Sequence, residues 1–231
     1  ARENGVTGFN ATMPHKEDLL PLLDGVDPAA RTMGAVNTVC LRDGKWVGFN
    51  TDGAGAAAAL KSGLSMDPAG LTITLLGAGG AAKAAALALS AAGAEQVFVC
   101  NRTPDRARAL CARDPLGRLA PEGFDGETLR RCAARSRLLV NCTNLGMAGC
   151  PNQFEDFGFL DALPQGAAVF DAIYHPAETE LLAQAKGRGL RTLNGLPMLV
   201  NQAVLALEHF LNRPLDRRAM AAVAAAALNQ M

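Results

Sequence analysis

The sequence has no excess charge of either sign, no long apolar run and no paired cysteine motif. Lys+Arg and Asp+Glu each number 22 in 231 residues, and this balance offers no basic surface for nucleic acid. No apolar run reaches the roughly 18 residues of a membrane span, and the alanine-rich stretch 221–228 is too short. We therefore expect a soluble cytoplasmic protein with a small-molecule partner, and neither a nucleic-acid nor a membrane partner.

The six cysteines show neither C-x-x-C pairing nor a histidine at metal-ligand spacing. We expect them to be reduced thiols and expect no bound metal. The sequence opens with ARENG, without an initiating methionine. From this we expect that residues upstream of Ala1 are missing.

The middle of the chain alternates apolar strand patterns with helical patterns. LTITLL (71–76) is followed by a glycine turn, an alanine-rich helical stretch and QVFVC, which together predict a βαβ unit and a parallel sheet. RLLVNC (137–142) and AAVFDA (167–172) are further strand candidates, and 178–189 has helical spacing. We assign residues 53–196 to a doubly wound α/β domain of the Rossmann type.

The two ends of the chain predict a second, smaller α/β lobe made of residues 1–52 and 197–231. AVNTVCL and WVGFN flank an Asp-Gly dipeptide and predict a β-hairpin. TDGAGAAAALKSGL then predicts a helix that connects the lobes. Two helical patterns, at about 198–211 and 216–229, could pack back onto the first lobe.

GAGGAA (77–82) matches G-x-G-x-x-[GA], with Gly77, Gly79 and Ala82 in the three small positions. It follows an apolar strand and opens a helix, whose N-terminus offers amides and partial positive charge to a pyrophosphate. Alternatively, the glycines merely allow a sharp turn. The context favours a dinucleotide site formed by Gly77, Ala78, Gly79, Gly80 and Ala81.

The end of the next strand predicts which dinucleotide binds. About 20 residues after the glycines, where an acidic residue would bind the ribose hydroxyls of NAD, the sequence reads NRTPDR. Arg102 and Arg106, with Asn101 and Thr103 beside them, suit a ribose 2′-phosphate and so favour NADP. The same residues also suit a helix start, with Thr103 as N-cap and Pro104 as the first helical residue.

Several further stretches resemble one known family, the shikimate dehydrogenases with the related quinate/shikimate enzymes. The matching stretches occur in the family's order over nearly the whole chain: GFNATMPHKE, GAVNTV, GFNTDGAG, GAGGAAKA, NRT, NCTNLGM, DAIYHPAETELLAQAKGRG and NGLPMLVNQA. The resemblance implies reversible, NADPH-dependent reduction of 3-dehydroshikimate to shikimate, a step of chorismate and aromatic amino acid biosynthesis. For the oligomeric state, a monomer and a homodimer both stay open.

The resemblance also implies the catalytic residues, Lys16 and Asp52. An alkoxide develops as hydride reaches the substrate carbonyl, so an ammonium at that oxygen fits the chemistry. By itself Lys16 would be read as a solvated residue near a helix start. His15 ranks below Lys16, because adjacent residues on an extended segment face opposite ways and the resemblance assigns the inward position to lysine.

Further residues are implied to bind the ligands. The expected partners of the substrate hydroxyls are Asn10, Thr12, Asn37, Thr51, Tyr174 and Gln202. Further cofactor contacts are expected at Thr143, Asn144, Gly195, Met198 and Leu199. For Asn37 and Thr51 the alternative is hydrogen bonding to backbone at a strand end, and for Tyr174 a half-buried core ring.

The chain departs from the family pattern at the substrate carboxylate, since the serine-rich S-x-S motif that normally binds it does not occur here. Two alternatives to the leading hypothesis therefore stay open. One is a quinate/shikimate dehydrogenase that uses NAD(P). The other is a truncated, non-catalytic NADP-binding module.

Overall fold

The structure, a computed structural model, describes residues 5–12 and 15–228. Its first part forms a small mixed sheet with the strand order β1-β3-β4-β2, in which β2 pairs parallel to β4 and the other pairs are antiparallel. The elements of this part are β1 (Gly8–Asn10), β2 (Gly25–Val26), helix α1 (Pro28–Met33), β3 (Thr38–Arg42) and β4 (Lys45–Phe49). A 3-10 helix spans Leu20–Leu22.

The predicted hairpin is confirmed as the β3–β4 pair. Asp43 and Gly44, the two residues of its turn, both have positive φ, at 49° and 76°. A two-residue hairpin turn of this kind matches the right-handed twist of its strands, and Asp-Gly tolerates it. The hairpin brings Asn37, just before β3, next to Thr51, just after β4.

A six-stranded parallel sheet follows, in the order β10-β9-β8-β5-β6-β7. Its elements are α2 (Asp52–Leu64), β5 (Thr72–Leu76), α3 (Gly80–Ala91), β6 (Gln96–Cys100), α4 (Pro104–Cys111), β7 (Leu119–Glu122), α5 (Gly126–Ala134), β8 (Leu138–Asn141), β9 (Ala168–Asp171), α6 (Glu180–Gly187) and β10 (Arg191–Leu193). A second 3-10 helix spans Gly158–Ala162. The predicted doubly wound fold is thus confirmed.

Successive strands are added on one side of β5 and then on the other, so the strand order reverses between β5 and β8. The strands before that point run outward on one side as β5-β6-β7, and those after it run outward on the other as β8-β9-β10. In such sheets ligands bind beyond the carboxyl ends of the strands at the reversal. The residues that follow β5, β6, β8 and β9 therefore form the edge where a ligand is expected.

Both faces of the parallel sheet are buried. Ile73, Leu75 and Val140 face α2 and α3, whereas Leu76, Leu139 and Val169 face the opposite layer, to which α5 and α6 belong. Strands that are covered on both faces read as continuous apolar runs, which is why the sequence revealed them. No helix within the described residues is long and apolar enough to cross a membrane.

Two terminal helices complete the fold, α7 (Leu196–Leu211) and α8 (Arg217–Leu228). They match the two predicted helical patterns, except that residue 229 lies outside the described residues. α7 packs against α2 so closely that a Cβ on Gly55 would lie 2.8 Å from Cβ of Gln202. At its other end the His209 ring stacks on Phe49, with ring centroids 3.9 Å apart. α7 therefore joins the small sheet to the helix that leads into the large one.

Candidate active site

The glycine turn lies directly beyond the carboxyl end of β5. Gly77 has φ of 106°, which L side chains rarely adopt, and a Cβ there would lie 3.1 Å from the backbone oxygen of Cys142. Gly79 is the N-cap of α3 and provides no side-chain cap. A Cβ on Gly79 or Gly80 would meet nothing within 4 Å. The first residues of α3 therefore border an open groove, and a helix N-terminus is where an anion site is expected.

The predicted 2′-phosphate residues lie beside this turn. Asn101, Arg102 and Arg106 line the same groove as Gly77 to Ala81. Thr103 does not line it; it occupies the N-cap position of α4, which begins at Pro104, without a side-chain cap hydrogen bond. Both arginines are exposed, and no ion pair within the described part of the chain occupies either guanidinium. The groove thus offers phosphate donors at two separate points.

The loop after β8 forms the opposite wall of the groove. Thr143 and Asn144 line it, as expected. Thr143 donates from its amide and its hydroxyl to Oδ1 of Asn141, at 3.0 and 2.7 Å. The amide nitrogen of Asn141 in turn donates to the carboxylate of Asp171, at 3.0 Å. These bonds hold the wall against the end of β9.

Asp171 is fully buried at that strand end. It also accepts from the Thr179 hydroxyl at 2.7 Å and from the amide of Ile173 at 3.1 Å. Burial raises the pKa of Asp171, although its hydrogen bonds act in the opposite direction. Burial likewise raises the pKa of the Cys142 thiol to about 12. A raised pKa disfavours the thiolate, which is the nucleophilic form of cysteine.

Lys16 and Asp52 meet on the small-lobe side, at the start of α2. Lys16 Nζ donates to Oδ2 of Asp52 at 2.6 Å. Asp52 is the first residue of α2, where the partial positive charge of the helix N-terminus favours a carboxylate. The backbone oxygen of Lys16 accepts from the amide of Val36 at 2.8 Å, which fixes the turn that carries the lysine.

Asn37 holds the other oxygen of Asp52. Its amide nitrogen donates to Oδ1 of Asp52 at 2.8 Å and to the Thr51 hydroxyl at 3.0 Å. Its carbonyl oxygen accepts from the Thr51 amide and the Thr38 hydroxyl, both at 2.9 Å. Both amide hydrogens of Asn37 are thus used inside the protein. Asn37 orients Asp52, whatever contact it makes with a ligand.

These groups open onto a cavity of about 420 Å³. Five of the six predicted substrate residues line it together with Lys16 and Asp52, namely Asn10, Thr12, Asn37, Tyr174 and Gln202. Thr51 is the exception, since it is buried behind the wall and its hydroxyl lies 3.4 Å from Oε1 of Gln202. Amides, hydroxyls and one ion pair thus form one part of the wall, which suits a ligand with hydroxyl groups, while Ala172, Met198 and Leu199 form an apolar part.

The cavity and the groove adjoin each other. Ala172 and Tyr174 line both of them. Gly195, Met198 and Leu199, which were expected beside the cofactor, line the cavity and not the groove. They occupy the start of α7 at the junction. A ligand that extended along the groove as far as Ala172 would therefore come next to Gly195, Met198 and Leu199.

The predicted extended conformation around His15 was wrong. Residues 15–19 form a turn and not an extended segment, with the His15 amide donating to Thr12 O at 2.9 Å. His15 is exposed, whereas Lys16 is half-buried. Burial lowers the pKa of His209, which packs on Phe49. His175 is exposed at the groove.

Sequence reasoning missed part of the groove wall. Phe124, Leu145, Met147 and Ile173 line it, and Phe124 also borders a second depression that extends past Arg102. These residues follow β7, β8 and β9. Their position just beyond parallel strands is the feature that could have identified them. Among the described residues no group of three or more His, Cys, Asp or Glu side chains could hold a metal ion.

Comparison with known proteins gives two matching family models and many relatives. The model described as shikimate dehydrogenase substrate binding domain matches residues 1–39, and the model described as shikimate / quinate 5-dehydrogenase matches residues 60–144. The chain is 45% identical over 209 residues to the shikimate dehydrogenase (NADP(+)) of Citrifermentans bemidjiense. That alignment covers 87% of the chain and 70% of the relative.

Solved structures agree in fold. Shikimate 5-dehydrogenase from Thermus thermophilus, in complex with NADP(H) and shikimate, superposes with a TM-score of 0.78 at 39% identity, over 96% of this chain and 79% of that one. The ligand-free 5-ketofructose reductase of Gluconobacter sp. strain CHM43 gives 0.82 at 36% identity, over 98% of this chain and 81% of that one.

Proposed function

Because this chain belongs to the shikimate dehydrogenase family, we propose that it catalyses the reversible, NADP-dependent reduction of 3-dehydroshikimate to shikimate. The observation that carries the proposal is the Lys16–Asp52 pair, with 2.6 Å between Nζ and Oδ2, at the wall of a cavity that amide and hydroxyl side chains also line. That cavity adjoins a groove with the features of a dinucleotide site.

The groove residues fit NADP. The open space at Gly79 and Gly80 leaves room for a pyrophosphate, which the first amides of α3 would bind. Arg102 and Arg106 would hold the 2′-phosphate, with Asn101 beside them, and Thr143 and Asn144 would contact the ribose or pyrophosphate. NADPH bound there supplies the hydride that reduces the substrate carbonyl. Ala172 and Tyr174, together with Gly195, Met198 and Leu199, would border its reactive end.

Lys16 supplies the proton. The ammonium has three N–H groups, and one of them points to Asp52, so the others are available to the substrate oxygen. In the reduction, negative charge grows on that oxygen, and the ammonium stabilises it and transfers a proton to it. Asp52 fixes the direction of the ammonium, and Asn37 fixes Asp52. Asn10, Thr12, Tyr174 and Gln202 would bind the remaining hydroxyl groups.

Lys16→Ala tests this assignment. We expect kcat for NADP⁺ reduction with shikimate to fall by at least about a hundredfold, the size of a general acid–base contribution, while the Kd for NADPH changes little. Lys61→Ala is the matched control, since Lys61 is an exposed lysine of α2. Lys16→Ala with unaltered turnover would refute the role of the lysine.

A quinate/shikimate dehydrogenase that uses NAD is the second candidate, because the family includes such enzymes. Arg102 and Arg106 argue against it. Enzymes that prefer NAD have a carboxylate at this place to accept from the ribose 2′-hydroxyl, whereas arginines suit the 2′-phosphate of NADP. Turnover of quinate and shikimate, each measured with NAD⁺ and NADP⁺, separates the two. The non-catalytic module predicts NADPH binding with no turnover of either substrate, and the Lys16–Asp52 pair argues against it.

A further inference from the structure

A second ion pair joins the two lobes next to the first. Glu17 Oε1 and Lys83 Nζ are 2.5 Å apart. Glu17 directly follows Lys16 on the small lobe, and Lys83 belongs to α3 of the dinucleotide lobe. The amide of Lys83 donates to the backbone oxygen of Gly79, the N-cap of α3, at 2.9 Å. The pair therefore connects the turn that carries Lys16 to the turn that would hold the pyrophosphate.

The side chains of Lys16 and Glu17 contact different lobes, although the two residues are adjacent in the chain. Lys16 points to Asp52 at the cavity, whereas Glu17 lines a depression with Ala78, Gly79, Gly80 and Lys83. The backbone of this dipeptide is tied to the small lobe by the bond from the Val36 amide to Lys16 O. A change in the separation of Glu17 and Lys83 is thus transmitted to Lys16 through one peptide unit.

The lobes also approach each other at a second point nearby. Arg113, beyond the end of α4, lies against Gly34, where an added Cβ would be 2.2 Å from Nη1 of the arginine. Arg113 and Arg106 line the same depression as Glu17 and Lys83. Glu17 is the carboxylate among these cations, so attraction between the lobes at this point depends on it.

We propose that Glu17 and Lys83 form a positioning pair, which sets the separation of the lobes at the mouth of the cleft and so holds Lys16 at its working distance from the bound cofactor. This inference rests on the proposed function. The pair acts through Lys16 and touches neither substrate nor the reacting atoms. Its loss lets the lobes settle farther apart, which misplaces the proton donor while the groove and the cavity each stay intact.

The effect should be modest, since the side chains of Lys83 and Glu17 are 21% and 57% exposed. Exposed ion pairs are weak and are screened by salt. We expect a twofold to fivefold decrease in kcat in Glu17→Gln, with an unchanged KM for NADP⁺, because Glu17 offers no donor to the cofactor. Added salt should lower the wild-type kcat toward that of the variant.

A double-mutant cycle tests the proposal. Glu17→Gln, Lys83→Gln and the double variant are compared with wild type in kcat, in both KM values and in Tm. The matched control cycle uses Asp105→Asn and Arg108→Gln, an exposed pair within α4 at 2.6 Å. We expect each Glu17 or Lys83 variant to lose kcat, the double variant to be no slower than the slower single variant, and the control cycle to leave kcat unchanged.

The charge-reversed double variant, Glu17→Lys with Lys83→Glu, should recover part of the lost kcat. If the pair only stabilised the fold, kcat would change together with Tm, so recovery of kcat at an unchanged Tm supports the positioning role. Full activity in Glu17→Gln, or losses that simply multiply in the double variant, would overturn the pair. A wild-type enzyme that cannot oxidise shikimate would overturn the proposed function, and the inference with it. An active wild type with a multiplicative cycle would overturn the inference alone.

Discussion

Gly195→Ala should damage the site through one added methyl group. Gly195 is the N-cap of α7 with φ of −75° and ψ of −9°, angles that alanine adopts freely. The substitution therefore causes no backbone strain, and any effect must come from space. A Cβ there would lie 2.0 Å from the backbone oxygen of Ala172 and 2.9 Å from the carbonyl carbon of Ile173. Ala172 borders both the cavity and the groove.

The magnitude follows from these distances. Real Cβ atoms essentially never approach another heavy atom within 3.0 Å, so α7 and the end of β9 must separate by about 1 Å. The clash is with backbone, which cannot rotate away as a side chain can. Overpacking of this kind costs about 1–3 kcal/mol of stability. A displacement of about 1 Å at reacting groups can lower the rate about a hundredfold.

The assay is initial-rate kinetics of NADP⁺ reduction with shikimate, together with thermal unfolding. Gly187→Ala is the control, because this glycine ends α6 away from the cleft and an added Cβ meets nothing within 4 Å. It should keep full activity and lose no stability. A folded Gly195→Ala protein with wild-type kcat/KM would refute the argument that this contact sets the geometry of the junction.

Two further predictions concern charges. Arg102→Ala should raise the KM for NADPH about tenfold (~1.5 kcal/mol) and leave that for NADH nearly unchanged, because only the 2′-phosphate loses its donor; equal effects on both coenzymes would contradict the assignment. The carboxylate of Glu208 accepts from the Arg217 guanidinium at 2.6 and 2.9 Å, and these hydrogen bonds are the main cause of the lowered pKa of Glu208. A lowered carboxyl pKa gives stability that is present above the unfolded value, about 4.3, and is lost as the pH falls through the folded value. Arg217→Gln should therefore cost up to about 1 kcal/mol at neutral pH, and urea denaturation should show the difference from wild type shrinking in acid; a constant difference would contradict this.

The sequence predicted best what depends on local patterns. β5, β6, β8 and β9 are apolar because both sheet faces are covered, and QVFVC coincides with β6. β7 was not predicted, since it reads LAPE and contains Pro121. Proline donates no ladder hydrogen bond and is confined to positions such as the edge of a sheet, where β7 lies. An edge strand can therefore contain residues, such as proline, that make it hard to recognise from the sequence.

The candidate site divides in the same way. The glycine turn could be recognised because its requirements are local, and resemblance supplied Lys16 and Asp52. The hydrogen bonds of Asn37 could not be derived, because they depend on the register of β3 against β4, which brings residues 14 and 15 positions apart together. The contact of Glu17 with Lys83 spans 66 positions and two lobes. No periodicity in the sequence encodes such a pair.

The packing of α7 on the small sheet has a consequence for the order of synthesis. Arg42 in β3 donates to the backbone oxygen of His209, 167 positions later, and Phe49 stacks on the His209 ring. A growing chain has made all six strands of the parallel sheet by Leu193, before α7 exists. The residues that line the groove are complete at His175, whereas the cavity wall also needs Gln202, 27 positions later. In the order of synthesis the groove is therefore the first of the two sites to have all its residues, and the cavity is completed only with α7.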